Sequence, residues 1–130
     1  MTRDELTKKV SQIASAVVMD RRWNNQALEV SILGMLLYGY ALAVGRIVML
    51  LELEDIEAAV LQTMIRTVGS AEKWSAGLVA DASKSAFDKA HHPGQHELIG
   101  VGHSYFGAKD QAVIVENIFV NFARFRDQAR

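Results

Sequence analysis

Residues 30–51 read VSILGMLLYGYALAVGRIVMLL, and only Ser31 and Arg46 break their apolar character. As a helix these 22 residues would run about 33 Å, enough to reach across the hydrocarbon core of a bilayer. A helix that is hydrophobic all round is covered either by protein or by lipid. Its surroundings favour protein. Arg46 lies inside the stretch, and no cationic cluster flanks it beyond Arg21 and Arg22. The remaining helical segments each carry one apolar stripe that needs a partner, and a central helix wrapped by them satisfies both needs. The stretch therefore predicts an all-α bundle with residues 30–51 at its centre.

Working outward from that stretch gives about five helices. Thr2 followed by Glu5 forms a capping box, and Leu6, Val10, Ile13 and Val17 then recur on one helical face. This helix ends near residues 20–22, where Arg21 and Arg22 suit its negative end. Asn24 or Asn25 is positioned to cap the central helix. Beyond it, Glu52, Glu54, Asp55 and Glu57 suit the positive end of a third helix and mark a bend. Ile56, Val60, Met64 and Val68 supply that helix's stripe, and Gly69 terminates it. Ser70 caps a fourth, in which Trp74, Leu78, Ala82 and Ala86 share a face that tapers from large to small. Pro93 and Gly94 close it.

Residues 93–108, PGQHELIGVGHSYFGA, contain four glycines and read as one irregular Gly/His-rich loop. Lys109 or Asp110 opens a last helix with Val115, Ile118, Phe119, Phe122 and Phe125 on one face and Arg124, Arg126 and Arg130 at its basic end. VIVENIFVNF within it has strand-favouring residues, but no partner strand exists elsewhere. The predicted helices lie near 3–20, 26–52, 55–68, 71–91 and 110–128.

A chain of 130 residues, half of them hydrophobic, fits a single domain over 1–130 with a core of useful size. A net charge of −1 lacks the basic excess that nucleic-acid binding uses. With no cysteine in the chain, disulfides, thiolate metal sites and cysteine nucleophiles are excluded. The first twenty residues show no continuous apolar signal region, so the cytoplasm is the expected setting.

Few residues offer chemistry. His91, His92, His96 and His103, with Asp88 and Glu97 nearby, have the residue types of a zinc or manganese site. The spacing argues against one, because His91 and His92 are adjacent and Pro93 interrupts a pairing with His96. The alternative is a polar loop that happens to be rich in histidine. Residues 102–107, GHSYFG, approach the hydrolase elbow G-x-S-x-G, but Phe106 stands where glycine is required and no sheet supports it. A phosphate loop would need lysine at Ala108. Arg46, inside an apolar helix, calls for a carboxylate partner such as Asp81 or Glu116, or acts as a ligand-anchoring charge. Gly34, Gly39 and Gly45 in one helix imply close packing, against either this chain or a symmetric copy.

No complete catalytic or cofactor motif emerges, while apolar helical surface is abundant. The reading is a non-catalytic protein-binding module: an adaptor, a secretion chaperone or a toxin-neutralising immunity-type partner. Its expected contact surface is the aromatic face Phe119, Phe122 and Phe125, with the acidic patch Glu52, Glu54, Asp55 and Glu57 steering the partner. A homodimer is also expected. The alternatives are a metal-binding protein or metal-dependent enzyme using the 91–103 histidines, and a small membrane-anchored protein spanning at 30–51.

Overall fold

The computed structural model describes residues 2–128, which form six helices and no strand. Helix α1 is Arg3–Val18. Helix α2 is Ala27–Ala43, continued by a π-helical turn Val44–Val48, and α3 is Leu53–Thr63, continued by a second π-helical turn Met64–Val68. Helices α4, Glu72–Phe87, and α5, Pro93–Ser104, follow, the latter running into a 3₁₀ turn Tyr105–Gly107. Helix α6 is Gln111–Gln128. Arg130, expected at the basic end of the last helix, lies outside the described residues.

The amphipathic stripe of α1 faces inward as its spacing requires, with Leu6, Val10, Ile13 and Val17 all buried. Thr2 starts the helix by accepting the backbone N–H of Glu5 at 3.3 Å. Helix α2 is the centre of the bundle, and all five other helices contact it. Leu37 is 1% exposed. The segment Ala27–Val48 has the length and mean hydropathy, 1.8, of a membrane span, yet 72% of its most apolar window is buried within the protein. Residues 113–122, which carry strand-favouring side chains, are helical in α6.

The expected loop at 93–108 is a helix, and this is the main correction. Pro93 occupies the first turn, where a missing N–H is harmless and the fixed φ suits the helix. His92 caps it: the chain there is extended, and Nδ1 accepts the Gln95 N–H at 3.1 Å. Two of the glycines sit where α5 crosses α2. A Cβ on Gly102 would lie 2.0 Å from the carbonyl oxygen of Leu36, and one on Gly39 would lie 2.0 Å from that of Ile99. Backbone therefore rests against backbone at this crossing. Gly34 likewise abuts Leu78 of α4, and Gly45 abuts Ile56 of α3 and Leu6 of α1, so the close packing of α2 is within one chain.

Helices α2 and α3 end alike. Leu51 N–H reaches Gly45 O at 2.8 Å, and Ser70 N–H reaches Met64 O at 3.0 Å, each across a left-handed residue. At α3 that residue is Gly69, φ 84°; at α2 it is Leu50, φ 57°. The expected side-chain caps of two helices differ. Gln26 rather than Asn24 or Asn25 precedes α2, and Ala71 rather than Ser70 precedes α4, neither capping through its side chain.

Candidate functional site

The aromatic face of α6, expected to be an interaction surface, is largely turned to the interior. Phe122 is fully buried, packed at 5.8 Å between ring centroids against Trp23 and edge-on at 5.3 Å to Phe119. Phe119 and Phe125 are half-buried, and each is overlaid by a guanidinium, Arg22 at 4.2 Å and Arg124 at 4.7 Å. The linker between α1 and α2 causes this. Arg22 bridges Glu116 of α6 through two hydrogen bonds of 2.9 and 2.8 Å and also holds Asp20, and the adjacent Trp23 packs against Phe122. The Arg22 hydrogen bonds keep the Asp20 carboxyl down at about 2 and lower that of Glu116.

The four histidines do not converge, and among the described residues no group of three or more His, Asp or Glu is placed to hold a metal ion. His91 lies 3.4 Å from Asp81, His92 caps α5, and the His96 ring nitrogen lies 2.7 Å from Ser85 O. His103 is on the far end of α5, exposed. Once residues 93–104 are helical, roughly 1.5 Å of rise per residue carries His103 away from the other three. Ser104, in the last turn of the same helix, bonds back to Val101 O rather than standing on a strand-to-helix elbow.

Arg46 is also not where its neighbours suggested. It sits in the π-helical turn that carries α2 out of the globule, is exposed, and makes no ion pair among the described residues. The carboxylates named for it are engaged elsewhere, Asp81 with His91 and Glu116 with Arg22. The buried charge of α2 is Glu29 instead, paired with Arg126 of α6.

The acidic patch divides. Asp55 is bonded by Arg3 at 2.8 Å and Glu57 accepts the Ser83 hydroxyl at 2.9 Å, whereas Glu52 and Glu54 are exposed and unpaired among the described residues. Between Arg46 and Glu52 the corner from α2 to α3 presents Ile47, Val48 and Leu50, exposed by 54%, 45% and 81%. Val48 also lines a cavity of about 320 Å³ with Tyr40, Val44, Phe106, Ile114 and Lys9. Burial pushes the Tyr40 phenol upward. Sequence reasoning assigned this corner to the core, as the continuation of the apolar run. Arg46, with the acidic bend that follows the run, was the available sign that its last turn meets water.

No family model, no curated protein and no solved structure matches this chain.

Proposed function

We propose that the chain is a non-catalytic protein-binding module of the adaptor, secretion-chaperone or toxin-neutralising kind, and that it binds through the corner between α2 and α3. One observation carries the reading: Ile47, Val48 and Leu50 crowd exposed apolar surface into a single turn. Isolated exposed apolar side chains are ordinary, but neighbours in one turn form a patch whose removal from water drives association. Arg46 before it in the chain and Glu52 and Glu54 after it, all exposed, flank that patch with charge, in keeping with the polar rim of a protein contact. The setting we infer for it is the cytoplasm.

A photo-crosslinking residue placed at position 50, with a control at the exposed Lys84 of α4, tests the reading in cells that make the protein. The expected result is a discrete protein adduct from position 50 and none from position 84. Absence of any protein adduct at position 50 overturns it.

A further inference from the structure

We infer that the α2–α3 corner is the contact through which two copies of this chain associate about a two-fold axis. This rests on the protein-binding reading and names the partner. Leu50 provides the first reason. Left-handed backbone brings the Cβ of an L-residue against the following carbonyl, so the position favours glycine. The same helix ending in α3 uses Gly69 there. At α2 the chain instead carries a leucine that is strained, at φ 57°, and 81% exposed. The side chain gains little from folding, so its benefit lies in a contact outside the chain.

The charge layout identifies that contact. Residues 46–54 read RIVMLLELE, a cation at one end and carboxylates at the other of an apolar segment. Arg46, Glu52 and Glu54 are exposed and have no ionic partner among the described residues. A segment of this kind is complementary to itself when reversed. A two-fold axis through the Val48–Leu50 turn stacks the apolar side chains of the two copies on one another. It also sets Arg46 of one copy against the carboxylates of the other, and the reverse pair repeats the contact. This is the self-complementarity that an isologous interface demands. Opposed charges fix the register and the pairing direction, while the apolar centre supplies the affinity.

Light scattering and sedimentation of the full purified chain across a concentration series test the inference. The mass should rise from 14.4 kDa towards twice that value. Leu50→Gly should weaken self-association at least tenfold without lowering the thermal midpoint of the dilute monomer, since it relieves the strain. Arg46→Glu alone, and Glu52→Lys with Glu54→Lys, should each weaken it similarly, and an equimolar mixture of the two variants should restore association. A chain that stays monomeric into the millimolar range overturns the inference, as does a dimer indifferent to these substitutions or a mixture that fails to recover. A monomeric chain whose position 50 crosslinks to a different protein overturns the second copy as partner while leaving the binding reading in place.

Discussion

Arg126 Nε stands 2.5 Å from Glu29 Oε2, joining the end of α6 to the first turn of α2 across 97 positions of sequence. The Glu29 side chain is 3% exposed and that of Arg126 39%. A carboxylate that has left water is held by a cation still in contact with it.

Removing the cation should therefore be worse than removing both charges. Breaking a buried pair typically costs about 3–5 kcal/mol. Because Arg126 is partly open to solvent, Arg126→Met is expected somewhat below that range, at about 2–3 kcal/mol, by urea denaturation. Adding Glu29→Met should recover much of the loss. A single Arg126→Met variant as stable as the parent would show that the pair contributes nothing.

The two inner glycines of α5 should respond to alanine with opposite signs. Gly100 faces open space, so Gly100→Ala should add about 0.5–1 kcal/mol through helix propensity. Gly102 meets the α2 backbone, which cannot move aside as a side chain would, and overpacking there should cost about 1–3 kcal/mol or more. Thermal midpoints of the pair decide the matter; equal responses would mean that the α2–α5 crossing is looser than described.

Leucines at two sites of one apolar run should differ as sharply. Leu37→Ala in the core should cost about 2–5 kcal/mol. Leu50→Gly should range from neutral to a gain of about 1 kcal/mol, because glycine accepts the left-handed turn. Destabilisation by Leu50→Gly at concentrations where the chain is monomeric would place that side chain in the fold rather than outside it.

Acid should weaken the linker clamp. The Asp20 and Glu116 carboxyls are lowered by Arg22, so their contribution is present above their unfolded values and is lost as pH falls through the folded ones. Stability is expected to drop between about pH 5 and pH 2, and Arg22→Ala should flatten that part of the profile. An unchanged slope in Arg22→Ala would assign the acid sensitivity to other carboxylates.

The readable parts of this fold were those where one face differs from the other over several turns. Leu6, Val10, Ile13 and Val17 announce α1 because a stripe needs only local sequence. The all-round apolar character of 30–51 likewise announces a covered helix, which holds as far as Gly45 and fails in the exposed turn beyond it. Helix α5 stayed hidden because glycine and proline speak for their intrinsic preferences. Pro93 in a first turn and Gly102 at a crossing are explained only by partners distant in sequence. The same holds for charge. Arg46 looked buried from its neighbours, and nothing local marked Glu29 as buried, because the chain's course at the α2 end and the position of Arg126 are tertiary facts. The aromatic face of α6 was legible as apolar, but nothing local said that Trp23 and Arg22 would cover it. At the candidate corner, Leu50 gave no signal, since leucine does not ordinarily mark a left-handed turn.

The glycine crossing of α2 and α5 also sets an order in which the molecule can open. Where two backbones touch, neither helix can swing aside without losing the dense contacts along its length. Amide protons near residues 34–39 and 98–102 should exchange with solvent only when the whole domain unfolds. The exposed turn at 46–51 has no such restraint and should exchange through small local excursions. The surface offered to a partner is thus the part free to adjust, mounted on the part that moves last.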